Sequence, residues 1–200
     1  MLNPRGFRAY IRNDVFFRAI PLVLKQVPEA FFVAIGMAGN PVAERWVRPM
    51  RIQQSLRLLP LTSRPQLASL FAASQVSVSP SSHDGTPNTL LEAMACGCFP
   101  VVGDVTSLRE WIVNGENGLI CHENDAESMA SCIVRALCHE NLRAGAANIN
   151  RKLIRTRAEY ANAMLEAEKL YGEVAGGKTE LSFSQESRGE VLTKSAVCGK

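Results

Sequence analysis

The most informative part of this 200-residue sequence is Asp84-Gly-Thr-Pro-Asn-Thr-Leu-Leu-Glu92, which continues as Ala-Met-Ala-Cys-Gly-Cys-Phe-Pro-Val-Val-Gly103. A loop rich in Gly, Pro and Asn opens an apolar helical pattern that Gly97 can end. Asp84 stands at the mouth of the loop, and Glu92 stands inside the helix. Two such carboxylates can accept hydrogen bonds from sugar hydroxyls, while free N–H groups at the helix start meet phosphates. The stretch therefore predicts a nucleotide-sugar site.

Outward from this stretch, strand and helix patterns alternate along the chain. Strand-like apolar runs cover residues 31–35, 56–61, 76–79, 99–102 and 119–121. Helical patterns cover residues 13–27, 42–54, 65–73, 87–97, 107–114, 126–139 and 149–172. Strands separated by helices of this length predict an α/β fold, a doubly wound, Rossmann-like parallel sheet with helices on both faces.

The start of the chain departs from this pattern. A doubly wound sheet begins with a strand that becomes central in the order 3-2-1-4-5. Only Met1, Leu2 and Asn3 precede Pro4, so we expect the first strand to be missing, as in a fragment or a protein whose start was assigned too late. We predict one domain over residues 1–174 and a disordered tail over 175–200, where large apolar residues become few.

Composition and charge narrow the classes of function. A hydrophobic content of 46% and a formal net charge of +3 are ordinary for a soluble globular protein and do not indicate a nucleic-acid partner. No run approaches the ~20 apolar residues of a membrane-spanning helix, and no secretion signal is visible. The six cysteines lack zinc-finger spacing and predict reduced, mostly buried thiols in the cytoplasm. We interpret the three histidines as surface residues, because none has metal-ligand spacing with an acidic partner.

The loop at residues 79–88 leaves the end of one predicted strand and opens a helix. Ligands of open parallel sheets bind beyond the carboxyl ends of the strands, where a helix start offers N–H groups and a partial positive charge. Gly85 would let the backbone approach the ligand closely. The amides predicted to meet phosphate are those of Asn88, Thr89 and Leu90.

Each carboxylate has a simpler explanation when taken alone. Asp84 is also explained as a charge at a helix start, and Glu92 as a solvated helix position. Their joint occurrence around one Gly/Pro/Asn loop favours the ligand site.

Several motifs in residues 76–120 follow one known pattern. Asp84-Gly85, the run over 91–98, Pro100-Val-Val and the later run over 114–119 resemble the C-terminal half of the retaining glycosyltransferases of the GT-B fold. That large family is typified by sucrose and glycogen synthases and mannosyltransferases, and carries a Glu-x7-Glu signature. This chain departs from the signature in having Asp84 in place of the first Glu and in one extra residue, Phe99.

The resemblance implies a glycosyltransferase of the hexosyltransferase type. It would transfer a sugar from a nucleotide diphosphate sugar to an acceptor hydroxyl with retention of anomeric configuration, and it would use no cofactor or metal. Asp84 would orient the sugar, and Glu92 would anchor the ribose. Arg5 and Arg12 are the candidates for the two basic residues with which the family contacts the diphosphate, and Arg8 rivals Arg5. A solvated basic surface explains these arginines equally well.

The resemblance also implies partners and leaves alternatives open. The expected partners are the nucleotide-sugar donor, a carbohydrate or lipid-linked acceptor, and an N-terminal GT-B domain that this chain lacks. We expect a cytoplasmic location, with a peripheral position at the inner membrane surface left open. The alternatives are a truncated, non-catalytic nucleotide-sugar-binding module and a sugar-nucleotide epimerase of the GT-B fold. A dehydrogenase is disfavoured because no G-x-G-x-x-G follows an early strand.

Overall fold

The structure, a computed structural model, describes residues 1–8, 10–122 and 124–175. Its strands are β1 (Leu2–Asn3), β2 (Phe32–Ile35), β3 (Leu56–Leu59), β4 (Val76–Ser79), β5 (Phe99–Gly103) and β6 (Leu119–Cys121). Its α-helices are α1 (Asn13–Leu24), α2 (Pro41–Met50), α3 (Arg64–Ala72), α4 (Asn88–Ala95), α5 (Ala126–Cys138), α6 (Glu140–Arg157) and α7 (Tyr160–Val174). A 3₁₀ helix covers Thr106–Glu110, where a longer helix over 107–114 was predicted.

The six strands form one parallel sheet in the order β3-β2-β1-β4-β5-β6. Such a sheet needs helical crossovers, and the helices between the strands supply them. The predicted doubly wound, Rossmann-like α/β fold is confirmed. Strands β2 and β3 are added on one side of β1, and β4 to β6 are added on the other. In parallel sheets, ligands bind at the point where the strand order switches sides in this way.

The expectation that the first strand is missing is wrong. Leu2 and Asn3 form β1, pair with Val33 and Ala34 of β2, and are held on the other side by Ser77 of β4. Both residues are fully buried. Two residues suffice here because strands already in place on both sides complete their hydrogen bonding, so a strand too short to show periodicity lies at the centre of the sheet.

Alternate residues of each strand face opposite sides of the sheet. Phe32 and Ala34 join the core that α1, α2 and α5 form on one face, whereas Ile35 meets α3 and α4 on the other. Aromatic contacts reinforce the first core, where the Phe17 and Trp46 rings stack 6.3 Å apart. Both faces are therefore covered, which leaves the loops at the strand ends as the places where a ligand can reach the sheet.

Close packing divides the chain into two units, Met1–Glu159 and Tyr160–Lys200. The predicted single helix over 149–172 is wrong, because α6 begins at Glu140 and the chain leaves helical geometry at Ala158, with φ −134° and ψ 6°. Helix α7 buries none of its own residues. The predicted domain over 1–174 extends past the boundary at Glu159, and the predicted tail lies, apart from Ala175, outside the described residues. Within the described part of the chain, no helix has the length and apolar character to cross a membrane.

Candidate functional site

Two loops meet at the carboxyl edge of the sheet, one after β1 and one after β4. The backbone N–H of Arg12 donates to the Pro80 carbonyl at 2.7 Å, and that of Ser82 donates to the Tyr10 carbonyl at 2.9 Å. Ile11 and Ser81 form an isolated antiparallel bridge between the loops. These bonds hold the start of the chain against the stretch that precedes Asp84.

The contact between these loops brings Arg5 to Asp84. The Arg5 guanidinium donates to Asp84 Oδ2 at 2.8 Å, although 79 residues separate the two. Their side chains are only 12% and 11% exposed. The pair is therefore shielded from solvent on most of its surface, which strengthens its electrostatic attraction.

Neighbouring groups hold both members of the pair in place. The Ser81 hydroxyl donates to the same Asp84 oxygen at 3.1 Å, and the Ser107 hydroxyl donates to the Asp84 backbone carbonyl at 2.6 Å. On the other side, the Arg5 backbone N–H donates to Asn3 Oδ1 at 3.0 Å. Asn3 is itself buried at the end of β1. The loops that carry the pair are thus tied to the sheet itself.

The end of β5 packs directly on the Ser81 backbone. A Cβ atom added at Gly103 would approach the Ser81 carbonyl oxygen far more closely than real Cβ atoms do. Only glycine fits this position, because the neighbour is backbone and cannot rotate away. Gly103 thereby sets how closely β5 and the Asp84 loop approach.

Helix α4 begins just beyond Asp84 with an open end. Pro87 is its N-cap residue, and among the described side chains none caps this end. The amides of Asn88 and Thr89 point out of the first turn, where no intrahelical acceptor exists. The prediction that the Leu90 amide is also free is wrong, because it donates to the Pro87 carbonyl at 2.9 Å and the Leu90 side chain lies in the core.

Gly85 and Glu92 lie on either side of this helix start. A Cβ atom at Gly85 would meet nothing within 4 Å, so the protein leaves open the space that the predicted ligand would occupy. Glu92 is half-buried in the second turn of α4. Burial raises the pKa of the Cys96 thiol, and the negative charge of Glu92 raises it further. The carboxylate of Glu92 therefore lies near the end of the same helix.

The three predicted phosphate-binding arginines lie in different surroundings. Arg12 forms two hydrogen bonds of 2.9 Å with the Asp14 carboxylate, and these bonds hold the pKa of Asp14 below its usual value. Arg8 is exposed. Arg5 contacts the predicted site residue Asp84, and the phosphate role of Arg12 stays a prediction.

An open cleft of about 490 Å³ lies beside Asp84. Its lining is polar and comprises Ser82, His83, Asp84, Asp104, Val105, Thr106, Ser107 and Glu110. Arg109 donates to both oxygens of Asp104 at 2.7 Å, which lowers the pKa of that carboxyl. Glu92 is not among the residues that line this cleft.

The ends of β1, β2 and β3 also come together. Gly36 follows β2 with φ +73°, close to Gly6, and the Leu61 side chain lies against it. Leu61 is 85% exposed. An exposed apolar side chain beside a glycine turn can offer an apolar contact to a planar ring.

The sequence model described as "Glycosyl transferases group 1" matches residues 7–139. The chain belongs to this family. An O-antigen chain mannosyltransferase B of Escherichia coli is 35% identical over 88 residues, which are 44% of this chain and 23% of the relative. The chain spans between 23% and 38% of the length of the curated relatives it matches.

Solved structures share the fold of this group 1 chain. The C-terminal domain of a group 1 glycosyltransferase protein, LpcC of Francisella tularensis, superimposes with a TM-score of 0.69 at 20% identity, over 80% of this chain and 86% of that one. TarM of S. aureus, solved with UDP, fondaparinux and α-GlcNAc-glycerol, gives a TM-score of 0.77 at 17% identity, over 85% of this chain and 34% of that one. The predicted likeness to GT-B glycosyltransferases is confirmed.

Four residues that shape the candidate site were not predicted from the sequence: Asn3, Ser81, Gly103 and Ser107. Gly103 and Ser107 contact the Asp84 loop from about 20 residues further along the chain. Asn3 and Ser81 bond to groups only two and three residues away, but no motif marks either residue. A hint was available for Gly103 alone, because it directly follows the apolar run of β5.

The sequence also led to predictions about metal ligands, histidines and cysteines. No group of three or more His, Cys, Asp or Glu side chains in the described ranges is arranged to hold a metal ion. All three histidines are exposed, as predicted. Cys98 and Cys121 are buried free thiols, and burial raises the pKa of each to about 12. Cys96 and Cys132 are half-buried, Cys138 is exposed, and Cys198 lies outside the described residues.

Proposed function

We propose that this chain is the donor-binding part of a retaining hexosyltransferase that uses a nucleotide diphosphate sugar and an acceptor hydroxyl. The observation that carries the proposal is the uncapped start of α4 directly beyond the Arg5–Asp84 pair. Two amides without intrahelical acceptors and a helix dipole suit a diphosphate. The carboxylates of Asp84 and Glu92, as acceptor-only groups, suit sugar and ribose hydroxyls. The family to which the chain belongs supports the choice of glycosyl transfer.

In this proposal, the chain stabilises the negative charge that grows on the departing diphosphate. Arg5 supplies a cation, and the Asn88 and Thr89 amides supply fixed dipoles from the start of α4. These groups would do so without a bound metal. Asp84 orients the transferred sugar, and Glu92 anchors the ribose, so that the reacting carbon is held in one position.

The nucleotide and acceptor classes follow from relatives and belong to the proposal. TarM was solved with UDP, and a galactosyltransferase of Escherichia coli that is 26% identical over 148 residues acts with UDP-Gal on a diphosphoundecaprenol-linked sugar. We propose a carbohydrate or lipid-linked acceptor for this chain by analogy. We further propose a cytoplasmic location, where nucleotide sugars would be available.

Calorimetry of the 200-residue chain with UDP-, GDP- and ADP-sugars tests donor binding. Glu92→Ala should weaken the preferred ligand by about tenfold or more, because a carboxylate that accepts hydrogen bonds from the ribose is lost. Glu116→Ala, which removes an exposed carboxylate from the turn before β6, is the matched control and should leave the affinity unchanged. If none of these nucleotide sugars binds, or if both variants behave alike, the proposed donor site is wrong.

A further inference from the structure

The Arg5–Asp84 pair joins two groups to which the proposed function gives different tasks. Arg5 meets the diphosphate, and Asp84 meets the sugar. In the structure they contact each other at 2.8 Å with little solvent around them. Neither task can therefore begin without changing the surroundings of the other group.

A bare nucleoside diphosphate gains little from this arrangement. Drawing Arg5 toward its phosphates would take the cation away from Asp84, whose side chain is 11% exposed. Among the described side chains, Asp84 would then keep only the Ser81 hydroxyl as a donor. The carboxylate would also repel the incoming phosphate charge. An incompletely paired, mostly buried charge is unfavourable.

A nucleotide sugar changes that balance, because it carries hydroxyl donors next to its diphosphate. These hydroxyls can replace Arg5 as partners of Asp84 while Arg5 turns to the phosphates. We propose that the Arg5–Asp84 ion pair is a specificity device, in which Asp84 withholds Arg5 from nucleoside diphosphates that lack a sugar. This inference rests on the proposed function and adds a preference for donor over released nucleotide.

Asp104, which lines the same cleft as Asp84, also pairs with an arginine and provides a contrast. Asp104 and Arg109 are close in sequence, and their side chains are 34% and 56% exposed. Solvent screens such a pair, so breaking it changes little. Asp104→Asn alters the net charge by the same amount as Asp84→Asn and is therefore the matched control.

Calorimetry of the full 200-residue chain with UDP, GDP, UDP-glucose and GDP-mannose tests the specificity device. Asp84→Asn should bind the preferred nucleoside diphosphate about tenfold more tightly than the unchanged chain, because Arg5 is released. The Asp84→Asn variant should bind the matching nucleotide sugar no more tightly than the unchanged chain does. Its preference for the nucleotide sugar over the nucleoside diphosphate should therefore fall by about tenfold. Asp104→Asn should change neither affinity by more than about twofold.

A second variant separates the electrostatic explanation from a structural one. In Arg5→Gln/Asp84→Asn, the gain in nucleoside diphosphate affinity should vanish, while thermal unfolding confirms that the variants are folded. A gain that persists without Arg5, or no gain in Asp84→Asn when the unchanged chain does bind, overturns the inference and leaves the proposed function standing. Failure of the unchanged chain and of every variant to bind any of the four ligands overturns both.

Discussion

Arg5 and Arg12 lie seven residues apart in one basic segment, and each pairs with an aspartate, but the two pairs differ in origin. Arg12 binds Asp14, two residues away, with side chains 30% and 31% exposed. Arg5 binds Asp84 across the switch point of the sheet, at 12% and 11% exposure. The Arg12–Asp14 pair depends only on the local backbone conformation. The Arg5–Asp84 pair forms only when β1 and β4 lie side by side in the sheet. Two arginines of equal charge in one segment therefore differ in how deeply their ion pairs are buried.

The largest effect should be a loss of stability when the close packing of Gly103 on the Ser81 backbone, beside the Arg5–Asp84 pair, is disrupted. Gly103→Ala places a Cβ atom against the Ser81 carbonyl, so we expect about 3 kcal/mol of lost stability in chemical denaturation. Gly85→Ala is the control, because its Cβ atom meets nothing within 4 Å and stability should change by less than about 0.5 kcal/mol. Equal stability of the two variants would mean that Gly103 does not set the approach of the loops.

The two arginines themselves give the next largest effect. Arg5→Gln should weaken nucleotide-sugar binding by about 50-fold, because the cation that would meet the diphosphate is lost. Arg12→Gln should weaken it by about fivefold or less, because Asp14 already engages that guanidinium. Calorimetry with the preferred nucleotide sugar measures both. Similar losses for the two variants would show that Arg12 also reaches the diphosphate.

The smallest effect concerns the local pair and appears at acid pH. The hydrogen bond from Arg12 lowers the pKa of Asp14 in the folded chain. Its contribution to stability is therefore present above the ordinary value of 3.8 and is lost as the pH falls through the lower, folded value. Because the pair is partly solvated, we expect less than about 1 kcal/mol.

Chemical denaturation of the unchanged chain and of Asp14→Asn at pH 7 and pH 3 measures the contribution of the Arg12–Asp14 pair to the free energy of unfolding. The difference in stability between the two chains should shrink at the lower pH. A difference that grows on acidification would contradict the assigned direction of the pKa.

The region around β4 and α4 could be predicted from the sequence because its signals are local. The bounds of β4 at 76–79 were predicted correctly, and α4 was predicted to within two residues at its C-terminal end. Loop residues, apolar spacing and a terminal glycine all lie within about 20 positions, which is the range over which sequence patterns are informative. The phosphate-binding role of the Asn88 and Thr89 amides stays a prediction.

The prediction failed where the outcome depended on neighbours. Helical spacing continues through residues 149–172, but α6 ends at Arg157 and α7 begins at Tyr160. Periodicity alone does not reveal two residues outside helical geometry. The Leu90 amide was predicted to be free, but the first turn of α4 is tight enough for Pro87 to accept its hydrogen bond. Both errors concern the exact residue at which a helix begins or ends, which sequence patterns do not fix.

By itself, the sequence determined the alternation of strands and helices, the loop that opens α4 and the acidic residues on either side of it, because these depend on residue type and spacing. Only the tertiary structure decided that Leu2 and Asn3 form the central strand, and that Arg5 rather than Arg12 meets Asp84. The physical reason is that a two-residue strand and an ion pair 79 residues apart gain their stability from partners brought together by the sheet. No local pattern carries that information.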